Sequence, residues 1–332
     1  MKKKILTAAG LAAMSGLALV GLASCNNSLF PEPQNWKEPT IPAYNATCSD
    51  GGSVVNVRVW NEEFINRFKT YYPGAVEVKN LEEYTIPNPN GSGTLTVKFQ
   101  TTPNQNNAYQ IALDNALDQQ ASASADNKID IFLLEADYAL KYVNTNNTVA
   151  VDDLGITAND TAQMYQYTKD IATSNGKLKA LSWQATPGLF AYRTDIAEDV
   201  LGTSDPVEVQ KKLADWDKFN AVAAQMKAKN YCMLAGYDDA YRVFSNNISA
   251  ALVDSKTGKI NMDPAIEKWI NQTKEYSEKG YNNKASLWDA TWSKQQTVEG
   301  NTFGFFYSTW GINFTLKGNA EATVDGKNLV GK

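Results

Sequence analysis

The chain has 332 residues, with 31 Lys and Arg against 36 Asp and Glu, a net charge of −5 and no histidine. The lack of histidine excludes Ser-His-Asp and Cys-His nucleophile systems and removes the commonest zinc ligand. The acidic balance, without any stripe of Lys and Arg interleaved with aromatics, excludes a nucleic-acid footprint, and the length supplies one large or two ordinary domains with real cores.

At the N-terminus, Lys2, Lys3 and Lys4 precede an apolar run from Ile5 to Ala23, the pattern of a signal peptide. Leu22, Ala23, Ser24 and Cys25 resemble a bacterial lipobox. Residues 1–24 are therefore expected to be a removable lipoprotein signal, and Cys25 the lipidated mature N-terminus. Acyl chains at about 0.8 kcal/mol per buried CH2 hold a protein on a membrane surface without spanning it. An uncleaved membrane helix is the alternative, and the absence of a basic stop-transfer cluster after the run speaks against it. Residues 25–52, rich in Asn, Pro and Gly, read as a flexible tether. Cys48 and Cys232 are far apart with no CxxC pattern, so spacing alone does not pair them, and Cys232 in "NYCMLAG" reads as a buried strand residue.

From residue 53 the pattern alternates. "SVVNVRVW" is a β-branched strand ending at Trp60, and "EEFINRFKTYYPG" is a helix with Phe64, Ile65, Phe68 and Tyr72 on one face, stopped by Pro73 and Gly74. "TLTVKF" and "IDIFLL" repeat the strand signal around a helical "AYQIALDNALDQQ". Such alternation predicts a parallel sheet with covering helices, and ligands of such sheets sit beyond the carboxyl ends of the strands. Asn61 and Glu62, the segment from Gln100, and Glu135 to Tyr138 occupy those ends.

Residues 53–186 thus form a first module, and Pro187 with Gly188 marks the crossing to a second, 187–310. There "DWDKFNAVAAQMKAKN" reads as a helix, "YCMLAG" as a strand, and "ALVDSKTGKINM" as a hairpin turned at Lys256 to Gly258. "DPAIEKWINQTKEYSEKG" carries the strongest helix signals: Asp263 as N-cap, Pro264 at N1, Ile266, Trp269 and Ile270 on one face, and Gly280 as the stop. "TFGFFYSTWG" is an aromatic strand that delivers Trp310 at its end.

Trp60, Trp183, Trp288, Trp292 and Trp310 all fall at strand ends or in loops, most beside an acid, amide or hydroxyl, whereas Trp216 and Trp269 lie on helical apolar faces and are assigned to core. A flat apolar ring flanked by hydrogen-bond acceptors suits a sugar, which presents a C–H face and a rim of hydroxyls. Each tryptophan singly also suits core packing. Paired acids, Glu62 with Glu63 or Asp238 with Asp239, open a hydrolytic alternative, but sequence neighbours do not establish the carboxylate separation a glycosidase needs.

The ordered stretches "VRVWNEEFINRFKTYYPG", "IDIFLLEADYALKYV", "GKLKALSWQATPGLFAYRTDI", "ADWDKFNAVAAQMKAKNY" and "TFGFFYSTWG", behind a lipobox, resemble the extracellular solute-binding lipoproteins of ABC importers, of the sugar-binding type related to maltose-binding proteins. The resemblance implies an α/β, two-lobe periplasmic-binding-protein-like fold (type II), with a carbohydrate held between lobes and no catalysis. It implies ABC transporter permease subunits as partners, a monomer anchored by lipid on the extracytoplasmic face of the cell membrane, and neither cofactor nor metal. The family normally continues beyond the last motif, so the fold is expected to be truncated, with 311–332 beginning a return to the first lobe. The ligand-binding residues it nominates, together with the aromatic loops, are Trp60, Asn61, Glu62, Glu135, Asp137, Trp183, Gln184, Asp238, Asp239, Tyr241, Trp288 and Trp310. Arg193 and Asp195 in "YRTD" are expected to stabilise the second lobe. A surface glycan-processing hydrolase and a binder of another polar solute, such as a peptide or polyamine, are the alternatives.

Overall fold

The computed structural model describes residues 33–46 and 52–332. The lipobox with Cys25, and Cys48, lie outside the described residues. The chain separates into two compact units: the first is Thr40–Ala185, the second Thr186–Lys332 together with residues 33–39.

The first unit is built on a sheet of five strands, β1 (Val54–Val59), β2 (Val76–Lys79), β3 (Glu83–Pro87), β4 (Thr94–Thr101) and β5 (Ile131–Phe132), in the order β2-β3-β4-β1-β5. β1 runs parallel to β4 and β5, as the alternating pattern predicts. The sheet is mixed, however, because β2 and β3 form an antiparallel hairpin that continues antiparallel onto β4. That hairpin is coded by polar-apolar alternation in "VEVK" and "EYTIP", and Glu77 secures it. Its carboxylate accepts from Lys69 Nζ at 2.8 Å, the Leu81 amide at 3.0 Å and the Tyr84 hydroxyl at 2.8 Å. These donors, Lys69 foremost, draw the Glu77 pKa down to about 2.

The helix Glu63–Tyr71 lays Ile65 and Phe68 on the sheet, where Phe68 meets Tyr84 and Phe99 edge-on. The helix Ala108–Leu117 buries Tyr109, Leu113 and Leu117 in the same core, with Val57, Val59 and Leu133. Tyr109 is also a brace. Its hydroxyl accepts from the Leu133 amide at 3.0 Å and lies 3.1 Å from the Arg58 carbonyl, tying the ends of β1 and β5 together.

Residues 33–46 depart from the expected free tether, because both of their aromatic side chains are docked. Tyr44 donates its hydroxyl to Asp153 at 2.6 Å, accepts the Ala150 amide at 2.8 Å, and lies 5.0 Å beneath the ammonium of the buried Lys179. Trp36, in the second unit, donates its indole N–H to the Ser255 carbonyl at 2.8 Å. Its ring covers Gly258, which has φ +70°, and a Cβ at 258 would approach that ring to 2.3 Å. Proline and asparagine content alone reads as a linker; two long-range aromatic contacts override it.

In the second unit, β6 (Thr173–Ser174) and β7 (Lys177–Leu178) of the first are followed by β8 (Gly188–Tyr192), β9 (Leu234–Gly236), β10 (Asn282–Ala285) and β11 (Gly304–Ser308). β8 pairs antiparallel with β11, β9 pairs parallel with β10, and a Cys232–Thr302 bridge links the two pairs. The helix Trp216–Ala228, capped by Asp215, contributes Phe219, Val222 and Met226 to a core with Ile196, Met233 and Phe303. Trp216 stacks on Phe244 at 4.3 Å, and both Trp216 and Trp269 pack against this core as expected. Cys232 is a buried free thiol.

The helix Pro264–Lys279 starts and stops where its signals predict, with Asp263 accepting the Ala265 amide at 2.8 Å and Gly280 at φ +68°. Its buried face differs from the expected one. Gln272 and Tyr276 are buried while Ile270 stays on the surface, because Asn220 Oδ1 accepts from both, at 3.1 and 2.8 Å. Arg193 binds Asp195 through two contacts of 2.7 and 2.6 Å, consistent with a structural pair.

After β11 the chain winds through Thr309–Gly311, a π-helical stretch Ile312–Leu316 and Lys317–Glu321, and residues 311–332 group with the second unit. Leu329 is buried there, and Lys332 lies 3.9 Å from Asp195. Among the described residues no helix is long and apolar enough to cross a membrane.

Candidate functional site

In the first unit, Val59 stands level with Thr101 and Arg58 with Phe132, so the segments after β1, β4 and β5 leave at one edge of the sheet. Parallel strands converge their loops there. Asn104 Nδ2 donates to Glu135 Oε1 at 3.1 Å, joining the segments after β4 and β5. Glu62, Glu135 and Asp137 are exposed at this edge. Asn61 is partly committed to structure, since its Oδ1 accepts the Glu63 amide at 2.9 Å and starts the helix.

Folding brings Trp183, from the far end of the unit's sequence, to Trp60: the ring centres lie 6.3 Å apart at 38°. Phe64 meets Trp183 edge-on at 5.3 Å, and Tyr109 meets Trp60 edge-on at 5.4 Å. Gln184 sits beside Trp183 in a turn closed by the Ser182 hydroxyl, which donates to the Gln184 carbonyl at 2.7 Å. The Tyr138 hydroxyl is buried without a hydrogen-bond partner among the described residues, and burial followed by the nearby Glu135 charge pushes its pKa up.

In the second unit the loop between β10 and the helix Ala290–Gln295 carries Trp288, which stacks on Trp310 with centres 5.8 Å apart and planes at 20°. Phe314 meets Trp310 edge-on at 5.6 Å. Trp288 is 51% exposed, Trp310 39% and Phe314 68%, so this is an open aromatic surface. Large apolar rings grouped in water are a feature that binding surfaces, not interiors, account for. Asp238, exposed, accepts the Leu287 amide at 3.3 Å and so stands beside the plate.

Its neighbour Asp239 is turned inward, contrary to the expected ligand contact. It is buried, accepting the Gly236 amide at 2.7 Å and the Trp292 indole N–H at 2.9 Å. Burial raises its pKa, and those two donors oppose the shift. Trp292, read from sequence as a loop aromatic, is core at 1% exposure, supporting Trp288 from below at 5.1 Å. Gly236 allows this close build, because a Cβ there would fall 1.9 Å from the Ala285 carbonyl oxygen. Tyr241 packs its ring on Trp269 at 4.9 Å and does not join the Trp288–Trp310 pair.

The structure therefore assembles Trp60 with Trp183, Glu135 with Asn104, and Trp288 with Trp310, with Asp238 on the amide of Leu287 next to Trp288 in sequence. Phe314 is outside the expected ligand residues, and its signal is its spacing four residues after Trp310; Asn104 falls in the segment from Gln100 that the strand pattern places at the ligand edge, although nothing in "TTPNQNN" singles it out. A further cavity of about 310 Å³ lies over β1 and β4, lined by Asn56, Arg58, Lys98, Gln100, Asn127 and Ile129, and includes none of the nominated residues. Among the described residues no cluster of acidic and cysteine side chains is placed to hold a metal ion.

Residues 92–327 match the bacterial extracellular solute-binding protein family. The chain belongs to that family. Solved structures of solute-binding proteins share its α/β fold. A crystal structure of an extracellular solute-binding protein of family 1 aligns with TM-score 0.60 and 17% identity over 82% of this chain and 64% of that one. The sugar-binding protein MalE from Xanthomonas citri aligns with TM-score 0.56 and 16% identity over 80% and 62%. The galacto-N-biose-/lacto-N-biose I-binding protein of the ABC transporter from Bifidobacterium longum, in complex with lacto-N-biose, aligns with TM-score 0.54 and 13% identity over 82% and 63%. This solute-binding chain thus spans less than two thirds of the length of each of those structures. No curated protein sequence matches it.

Proposed function

We propose that this solute-binding protein captures a carbohydrate outside the cell, without altering it, and delivers it to an ABC transporter permease from a lipid anchor at Cys25. The observation that carries the reading is the exposed pair Trp288 and Trp310, with the exposed Asp238 carboxylate held on the Leu287 amide next to Trp288. Aromatic faces cover the C–H face of a sugar, and an exposed carboxylate accepts from its hydroxyls without the cost of burying an unpaired charge. Trp60, Trp183, Gln184, Glu62, Glu135 and Asp137 offer the same two chemistries in the first unit, with Asn61 contributing its amide. The sugar-binding and ABC-transporter neighbours support the solute class.

Calorimetry with a panel of mono- and oligosaccharides, peptides and polyamines tests this. At least one sugar should bind saturably and be recovered intact, and Trp310→Ala should weaken it by about 1 to 3 kcal/mol, the loss of a stacking platform. Binding of only peptides or polyamines, or recovery of shortened oligosaccharides, overturns the reading. The anchor is tested separately: Cys25→Ala should release the protein from the membrane fraction.

A further inference from the structure

The first unit holds a cavity that none of the tryptophans or acids of the candidate site lines. Parallel strands inside an α/β sheet ordinarily carry apolar side chains on both faces, because helices cover both. β1 and β4 do so on one face only, where Val57, Val59, Val97 and Phe99 are buried. The alternate positions are polar: Asn56 and Arg58 on β1, Lys98 and Gln100 on β4. The register sets Asn56 level with Lys98 and Arg58 level with Gln100, so two cations stand diagonally on neighbouring strands. These four residues line the cavity of about 310 Å³, at the lower end of the roughly 300 to 1,000 Å³ of small-molecule pockets.

No acid is among the described residues that line it. The nearby carboxylates are committed to backbone: Asp126 accepts the Ser53 and Val54 amides at 2.6 and 3.2 Å, and Asp130 the Asn56 amide at 2.8 Å. Asn56 is committed too, its Nδ2 donating to the Asp126 and Lys128 carbonyls at 2.9 Å each. Arg58, Lys98 and Gln100 differ. Among the described residues their side chains make no hydrogen bond or ion pair, although Glu83 stands level with Lys98 on β3. Burial draws the Arg58 pKa down, the response of a guanidinium that loses water without gaining a counter-charge.

We propose that this cavity binds a phosphate group, held by Arg58 and Lys98 with the Gln100 amide as a third donor. Donors left unpaired away from bulk water are costly, and an oxyanion satisfies them. Arg58 offers a planar fork that takes two oxygens at once, and Lys98 a point charge for another. A carboxylate would be satisfied by the fork alone. Phosphate has a further oxygen for Lys98 and, as an ester, a charge of about −1.5 to −2 at neutral pH that matches the two cations. The group can arrive as free phosphate or as the ester of a small metabolite. The site is independent of the carbohydrate reading, since it uses none of the same residues.

Calorimetry on the full chain at low ionic strength, with inorganic phosphate, glycerol 3-phosphate and acetate as probes, tests this. One of the two phosphates should bind saturably, and acetate about tenfold more weakly or worse. Tighter binding of inorganic phosphate supports the free anion, and tighter binding of glycerol 3-phosphate supports the ester. Arg58→Gln should weaken the better probe about tenfold, and Arg58→Lys, which keeps the charge and loses the fork, by less. Lys98 is exposed, so Lys98→Gln tests the site without disturbing the core; it should weaken binding about threefold or more and shrink the rise in melting temperature that phosphate gives the wild type. Glu83→Gln, which removes the acid level with Lys98, should strengthen binding about twofold. Failure of both phosphates to saturate, acetate binding as tightly as either, or wild-type affinity in both Arg58→Gln and Lys98→Gln overturns the site.

Discussion

Two aromatic groupings, one in each unit, use the same residue type differently. In the first unit Trp60 and Trp183 meet at 38°, held edge-on by Tyr109 and Phe64, and Tyr109 is itself a buried brace of the sheet. In the second unit Trp288 and Trp310 lie nearly parallel, at 20°, and open to solvent, and Trp288 rests on a third tryptophan that is wholly buried. Trp183 and Trp310 reach solvent to nearly the same extent, at 37% and 39%, so the groupings differ in the angle between their rings and in what lies beneath them. Orientation and support, which composition does not reveal, separate the buried Tyr109 and Trp292 from the solvent-reaching rings that rest on them.

Substitutions within the second grouping test this contrast most strongly. Trp292→Ala should cost roughly 3 to 5 kcal/mol of stability, the range for emptying a large buried ring. Trp288→Ala, four residues earlier in the loop that enters the helix of Trp292, should change stability by about 0.5 kcal/mol or less, as surface substitutions do. Urea denaturation of both variants measures the difference, and equal losses would erase the distinction between support and plate. Asp239→Ala comes next, at about 1 to 3 kcal/mol, because it strands the Gly236 amide and the Trp292 indole N–H. Asp239→Asn keeps an acceptor and should lose less.

A smaller effect is expected at Gly258, where a side chain meets both a left-handed backbone and the Trp36 ring. Gly258→Ala should destabilise by about 1 kcal/mol and shift Trp36 fluorescence towards that of solvent-exposed indole. The first unit carries the subtlest test, at Glu77. Its folded pKa of about 2 lies below the ordinary carboxylate value, so its contribution is complete above roughly pH 4.5 and is lost as pH falls towards 2. Following the first unit's unfolding midpoint from pH 5 to pH 2 should show a decline that Glu77→Gln flattens.

Where local signals sufficed, the sequence reading holds. The caps Asp215, Asp263 and Gly280 act on amides and backbone angles within their own helices, and these helices begin and end accordingly. The parallel core of β1, β4 and β5 follows from β-branched strands alternating with an amphipathic helix, and with it the single edge that gathers the loops. Contacts between distant residues were not legible in the same way. Asn220 makes a polar stripe of Gln272 and Tyr276 the buried one, and Trp292 draws Asp239 inward while Asp238, one residue earlier, remains outside.

By itself, then, the sequence determined what kinds of element form and which chemistry is on offer: tryptophans beside acids, no histidine, and a strand-helix alternation typical of solute-binding proteins. Those properties depend on neighbours a few bonds or one helical turn apart. Only the tertiary structure decided which tryptophan is a plate and which a pillar, which aspartate faces water, and that Trp36 and Tyr44 are docked, because each depends on partners scores of residues away that meet only when the chain is packed.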